Sequence, residues 1–276
     1  SKRSIPVVSM IHSIEWDIYA QNLPFAQARF RKFWLNACRR RYNKAQQILT
    51  PSQATKAILE ALQFIPPITV TPLGIDTDRF QPRTRLERNK RRQALNIPQD
   101  SFVFGYLGRF GAEKNLQVLL DAFTQLGAPK THLLMVGGNR SVLRYEQVTE
   151  HTTWIPSTMT PEDYYPAMDA YVLPSLSECA PLAIREAMAS GVIPLSTPVG
   201  NVPSYLTPDI GTLFAPNSVD DLKRKMLELL NDPNSHEQRK LKARKLVIDR
   251  FTWTASSERI IAIFDQILQR GVQHDD

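Results

Sequence analysis

The stretch Ala170-Tyr-Val-Leu-Pro-Ser-Leu-Ser-Glu178-Cys-Ala-Pro181-Leu-Ala-Ile-Arg-Glu186-Ala-Met-Ala-Ser-Gly191-Val-Ile-Pro-Leu-Ser196 carries its own punctuation. The apolar run Ala170–Leu173 reads as a buried strand. Pro181 suits the first position of a helix and Gly191 the residue just past its end, which sets a helix at about 181–190. Val192 to Ser196 is a second buried run. Strand, helix and strand in direct succession predict a parallel sheet covered by helices on both faces, whose ligand crevice lies at the carboxyl ends of the strands.

The same alternation extends in both directions. Ser101-Phe-Val-Phe-Gly-Tyr-Leu-Gly108 reads as a strand, Leu116–Leu126 as an amphipathic helix, and His132-Leu-Leu-Met-Val-Gly-Gly138 as a strand closed by glycines. Nearer the N-terminus, Ile5–His12, Gln47–Thr50 and Ile68–Thr71 read as strands. Residues 24–46 read as a helix, and Ser52 is the cap of another. The charged run Arg83–Lys90 offers a core little, and reads as a linker between two domains.

The chain of 276 residues is 42% hydrophobic and 22% charged, the balance of an ordinary globular protein, with no apolar run long enough to span a membrane. The N-terminal residues do not read as a signal peptide. Cys38 and Cys179 offer neither metal spacing nor a disulfide framework, so a reducing, cytoplasmic setting is the default expectation. A net charge of +7 implies anionic partners. Much of it sits in one segment, where Arg29, Arg31, Lys32, Arg39, Arg40, Arg41 and Lys44 mix with Phe25, Phe30, Phe33 and Trp34. This segment reads either as a surface helix meeting an anionic membrane or as a solvated helix with a few core aromatics. No nucleic-acid-binding motif accompanies it, so nucleic acid is not an expected partner.

Two loops carry the chemistry. After the strand ending at Leu107 come Gly108-Arg109-Phe-Gly111-Ala-Glu-Lys114. Glycines let backbone approach an anion, a following helix presents free N–H groups, Arg adds a planar fork and Lys a point charge. Taken alone, the segment reads equally as a solvated turn with surface cations. In the opening stretch, Glu178 sits on the turn entering the helix and Glu186 about 7–8 Å further along the axis. Carboxylates so spaced can accept hydrogen bonds from hydroxyl pairs at two ends of one ligand, with helix N–H groups between them for phosphate. Each taken separately reads as a dipole-favoured charge or a solvated helix residue.

Glu178 and Glu186 eight positions apart, followed by Ala-Met-Ala-Ser-Gly-Val-Ile-Pro-Leu-Ser-Thr197, resemble the signature of the retaining family 4 glycosyltransferases of GT-B fold. Thr71-Pro-Leu-Gly-Ile-Asp-Thr-Asp-Arg-Phe-Gln-Pro82 resembles that family's interdomain segment, Tyr106–Lys114 its phosphate loop, and Phe251-Thr-Trp253 the opening of its C-terminal helix. The resemblance implies a complete C-terminal Rossmann-like domain at 83–250, a partial N-terminal Rossmann-like, acceptor-side domain at 1–82, and a helix at 251–276 packing back toward the latter. It implies Arg109 and Lys114 on the diphosphate of a UDP- or GDP-sugar, Glu186 on the ribose and Glu178 on the donor sugar. Backbone groups of Cys179, Ala180 and Leu182 would lie along sugar and phosphates, Thr158 near the base, and His12 would face the donor sugar. No metal or cofactor is implied. The acceptor would be a glycan, a lipid-linked sugar or a small molecule, attacking the face from which the nucleotide departs.

Departures from the family pattern qualify this. Cys179 and Ala180 stand where a glycine and an aromatic residue are usual, Pro156 where a glycine is usual, and Gly200-Asn201 replaces a glycine pair. The span between Gly138 and Trp154 is too short for the usual helix and strand. The family's first strands and glycine-rich loop have no counterpart, which implies a fragment, a partner chain completing that domain, or a nucleotide-sugar-binding subunit without turnover.

Overall fold

The computed structural model describes residues 5–14, 27–138 and 151–273. The chain divides into two compact units: Ser1–Gly74 with Glu178–Ala180 and Trp253–Asp276, and Ile75–Ser177 with Pro181–Thr252.

The first unit holds a parallel sheet of strands β1 (Val8–Met10), β2 (Gln47–Thr50) and β3 (Ile68–Val70), in that spatial order. Parallel neighbours need crossovers, and helices α1 (Gln27–Tyr42) and α2 (Gln53–Ala61) supply them. Ser52 caps α2 as its sequence predicts, its Oγ accepting from Thr55 N at 3.0 Å. Ile11, Cys38, Ile48, Leu59, Phe64 and Ile68 form the core. The basic aromatic segment is helix α1, whose Trp34 and Leu35 pack against that core. Arg29, Arg31, Lys32, Arg40 and Arg41 are exposed, and so is Phe33, at 68%. Phe25 lies outside the described residues.

In the second unit, helix α3 (Arg85–Ala94) precedes β4 (Phe102–Leu107), followed by α4 (Leu116–Leu126), β5 (Thr131–Val136), β6 (Thr152–Ile155) and β7 (Ala170–Leu173). Helix α5 (Leu182–Ala189), β8 (Ile193–Ser196), β9 (Thr212–Leu213), α6 (Val219–Leu230) and α7 (His236–Arg250) complete it. Its six strands are all parallel, in the order β6-β5-β4-β7-β8-β9. Numbered from β4, that is 3-2-1-4-5-6, the doubly wound order whose switch point lies between the first and fourth strands. The remaining helix, α8 (Trp253–Gln273), belongs to the first unit.

Two sequence expectations change. Arg83–Lys90 is no linker: Thr84 and Glu87 form a reciprocal capping box that starts α3. The charge run is the outer face of that helix, while Arg92 on its inner face is fully buried. There it donates to the carbonyls of Ala167 and Ser101 at 3.0 and 2.7 Å and to Asp169 Oδ2 at 2.7 Å. Burial lowers the Arg92 pKa, and Asp169 opposes the shift. The span before Trp154 is also not too short for a strand, because Thr152–Ile155 pairs with β5. The rest of that expectation falls on residues 139–150, outside the described residues.

Candidate functional site: the crevice after β4 and β7

The loops that follow β4 and β7 flank the switch point, and they are the two that carry the charged motifs. They touch: Leu176 N donates to Glu113 O at 2.8 Å, tying the loop after β7 to the short 3-10 helix Ala112–Lys114 after β4. Arg109 forms an ion pair with Glu113 and is itself 68% exposed, whereas Glu113 is mostly covered. Gly111 makes room for that carboxylate, since a Cβ there would lie 2.3 Å from Glu113 Oε2. Tyr106 Oη donates to Arg109 O at 2.8 Å and fixes the start of the loop from below. Gly137, after β5, brings the next loop against it: at φ +117° its Cβ position is 2.1 Å from Gly108 O, so no side chain fits. Lys114 is half-buried at the entrance to α4.

Neither helix that opens on this crevice is capped by a side chain. Asn115 precedes α4 in the left-handed conformation and gives its side chain to Asn217 at 3.0 Å instead. Pro181 precedes α5 and has no side chain that could cap. Ser52, Thr84 and Ser218 do cap α2, α3 and α6. Uncapped N-termini beside Arg109 and Lys114 make an electropositive, N–H-rich place for an anion.

Glu186, on the first turns of α5, is half-buried rather than solvated. Its Oε2 accepts from Tyr165 Oη at 2.8 Å, and the same hydroxyl lies 3.2 Å from Ala183 O. Burial raises the Glu186 pKa; the Tyr165 hydrogen bond and Arg79 oppose the rise, and Glu162 adds to it. Burial likewise lifts Tyr165 well above its ordinary value, so Tyr165 stays a donor. Thr158, after β6 at the same end of the sheet, accepts at Oγ1 from Thr160 N at 3.0 Å. Arg109, Lys114, Thr158, Leu182 and Glu186 therefore share the carboxyl end of one parallel sheet.

The other expected residues belong to the first unit. His12 is exposed directly after β1. Glu178, Cys179 and Ala180 are half-buried. Burial raises the Cys179 thiol pKa, while hydrogen bonds with the Thr55 side chain and the Ile14 backbone lower it. Motif spacing does not point to Tyr165, Arg79, Glu162 or Glu113, although Arg79 lies within Thr71–Pro82 and Glu113 within Tyr106–Lys114. Tyr165 has no sequence cue, because its partner is 21 positions away.

A doubly wound domain with an anion-accepting crevice and a flanking carboxylate is the architecture of a nucleotide-binding protein. The chain belongs to the glycosyl transferases group 1, whose family model matches residues 87–246. The model described as Glycosyltransferase Family 4 matches residues 1–79. Over 200 residues the chain is 28% identical to sulfoquinovosyl transferase of Arabidopsis thaliana, covering 68% of this chain and 38% of the relative. Over 235 residues it is 26% identical to lipopolysaccharide 1,2-N-acetylglucosaminetransferase of Salmonella typhimurium, covering 77% and 60%. It thus spans roughly 38–60% of the length of these relatives. Among solved structures it resembles Anabaena HepE in complex with UDP and glucose, with TM-score 0.82 and 18% identity over 94% of this chain and 71% of that one. For sucrose-phosphate synthase from Thermosynechococcus elongatus the TM-score is 0.81 and the identity 22%, over 95% and 68%. The fold is GT-B-like, as the sequence motifs imply. Among the described residues no helix is long and apolar enough to cross a membrane.

Proposed function

We propose that this chain binds a nucleoside-diphosphate sugar in the crevice after β4 and β7 and carries the donor side of a glycosyl transfer, with retention at the anomeric carbon. The observation that supports it most is the meeting of Gly108–Lys114 with the Pro174–Glu186 stretch at the switch point, joined through Leu176 and Glu113. In this reading Arg109 and Lys114 meet the diphosphate, and Glu186 accepts from the ribose hydroxyls. Glu178 meets the donor sugar hydroxyls, while Cys179, Ala180 and Leu182 offer backbone groups along sugar and phosphates. Thr158 borders the base and His12 the donor sugar. The second unit, Ile75–Ser177 with Pro181–Thr252, is the donor domain in this reading, and the first unit, with Ser1–Gly74 and Trp253–Asp276, belongs to the acceptor side.

Chemically, the site works by charge. As the glycosidic bond to the diphosphate breaks, negative charge grows on the leaving oxygen. Arg109, Lys114 and the uncapped N–H groups of α4 and α5 stabilise it, and loss of one such donor costs on the order of 10² to 10³ in rate. Calorimetry with UDP and GDP tests the site: Glu186→Ala and Arg109→Ala should each weaken binding, and unchanged dissociation constants would refute the assignment. Transfer or hydrolysis of the matching nucleotide sugar tests the chemistry; tight binding with no turnover would make the chain a donor-binding subunit instead.

The acceptor in this reading is carried at an anionic lipid surface. Arg29 and Arg40, one turn before and two turns after the exposed Phe33, share its face of α1, and each is worth about 1 kcal/mol beside such a surface. Equal co-sedimentation with neutral and anionic vesicles would remove this part.

A further inference from the structure

Three tyrosines of the second unit pack in one row: Tyr165 in the turn before β7, Tyr171 on β7 and Tyr106 on β4, all of them fully buried. The Tyr171 ring meets Tyr165 edge-on, with centroids 6.1 Å apart, and stacks on Tyr106 at 6.3 Å with 16° between planes. Phe80 closes the row beyond Tyr165, edge-on at 5.9 Å. Packing alone does not call for the hydroxyls, because phenylalanine fills nearly the same volume and a buried hydroxyl costs free energy unless a partner takes its hydrogen. Each hydroxyl here has such a partner, and the partners are parts of the crevice. Tyr165 Oη donates to Glu186 Oε2 at 2.8 Å, Tyr171 Oη to Leu107 O at 3.1 Å and Tyr106 Oη to Arg109 O at 2.8 Å. The row therefore starts at the carboxylate and ends at the loop that carries Arg109.

The two ends hold different things. Tyr165 Oη also lies 3.2 Å from Ala183 O, but it has a single hydrogen, and the shorter contact to a carboxylate oxygen takes it. That bond fixes the direction of the Glu186 carboxylate, which its side-chain torsions otherwise leave free to turn. Tyr106 instead holds a backbone carbonyl, and its hydroxyl sits against the first glycine of the loop, where a Cβ on Gly108 would lie 2.9 Å from Oη. It thereby sets where the chain carries the exposed Arg109 guanidinium.

We propose that Tyr165 and Tyr106 are positioning residues for two subsites of one ligand, Tyr165 for the ribose subsite at Glu186 and Tyr106 for the phosphate subsite at Arg109, with the Tyr171 ring spacing them. The proposal rests on the reading of Glu186 as the ribose-binding carboxylate and of Arg109 as a diphosphate contact. Neither tyrosine needs to touch the nucleotide, since each acts through its one hydrogen bond.

The test is calorimetric titration of wild type and two variants with UDP, its 2′,3′-dideoxy analogue and UMP, and with the same guanine set where GDP binds tighter. The dissociation constant of the dideoxy analogue divided by that of the parent diphosphate reads the ribose subsite. The constant of the monophosphate divided by that of the diphosphate reads the phosphate subsite. Tyr165→Phe should lower the ribose ratio by about tenfold, the worth of one hydrogen bond to a charged group, and leave the phosphate ratio within about twofold. Tyr106→Phe should do the reverse, lowering the phosphate ratio by about three- to tenfold, as for a neutral hydrogen bond, and leaving the ribose ratio within about twofold. A variant whose own ratio stays within about twofold of wild type, or whose two ratios fall together, would overturn the proposal and leave these hydroxyls as supports of the core alone. A wild-type ribose ratio near one would instead overturn the reading of Glu186, and wild type that binds neither diphosphate would overturn the donor-site reading, and the proposal would fall with either. Binding stoichiometry reports the folded fraction of each variant, so partial unfolding lowers it without moving the ratios.

Discussion

Replacing Asp169 with alanine should destabilise the second unit by about 4 kcal/mol. Asp169 stands at the foot of β7, where its Oδ2 accepts from Arg92 at 2.7 Å and from Val103 N at 2.8 Å, and its Oδ1 from Arg88 at 2.8 Å. Removing the carboxylate leaves the fully buried Arg92 with carbonyls but no counter-charge, and breaking a buried pair from one side costs about 3–5 kcal/mol. It also strips a buried N–H of its acceptor, worth about 1–3 kcal/mol by itself, though the two losses overlap and do not add in full. Arg88 is about a third exposed, so Arg88→Ala should cost no more than about 1 kcal/mol. Asp169→Asn, which keeps an acceptor but no charge, should fall between. Because the chain has two units, the measurement is hydrogen exchange at the amides of β4 and β7, with urea unfolding beside it. A loss below 1 kcal/mol for Asp169→Ala, or an Arg88→Ala effect as large, would show that the buried pair does not hold these strands.

Gly137→Ala should destabilise by at least about 1–3 kcal/mol from its backbone conformation alone, more from the overlap with Gly108 O, and should weaken UDP binding by displacing Arg109; a variant with wild-type melting and affinity would refute the close approach. Burial pulls the His132 pKa from its ordinary 6.5 to about 4, so the folded state stays neutral where the unfolded chain takes up a proton. Stability should therefore be full above about pH 6.5 and decline as pH falls toward 4, by at most about 3 kcal/mol. His132→Gln should flatten that part of the urea-stability profile, and an unchanged slope would refute it.

Where punctuation and burial agreed, the fold was legible. Helix α5 runs over Leu182–Ala189, close to the span that Pro181 and Gly191 set, and α4 matches its apolar spacing from Leu116 to Leu126. Charge density hides helix α3 in the sequence, although Thr84-Arg-Leu-Glu87 is a capping box. Strand β6 was missed because all four of its residues are half-buried, as an edge strand's are, which leaves no continuous apolar run. In the site, the motif residues were visible through spacing, since glycines, cations and helix starts sit together along the chain. What spacing could not convey is that Glu186 is half-buried against Tyr165, or that Arg79 reaches Met159 and Glu162 some 80 positions on. Those contacts exist only once β6 and β7 stand on opposite sides of β4 and β5.

The pairing of β4 with β7 explains why the crevice and the buried ion pair occur on the same two strands. Whereas β4 matches β5 along its whole length, from Phe102↔Thr131 to Leu107↔Val136, it matches β7 only at Phe104↔Ala170 and Gly105↔Tyr171. At the switch point the crossovers leave in opposite directions. Below the pairing, Asp169 joins the strands through backbone and side chain: its N donates to Val103 O at 2.8 Å, its Oδ2 takes the Val103 N–H, and Arg92 ties both strands through Ser101 O and Ala167 O. Above it, Tyr171 Oη donates to Leu107 O at 3.1 Å, and beyond that the loops stay apart until Leu176 N reaches Glu113 O. The space left between is bordered by the two uncapped helix starts. The short pairing thus leaves a space at the switch point, and the buried Asp169 cluster stabilises the strands below it.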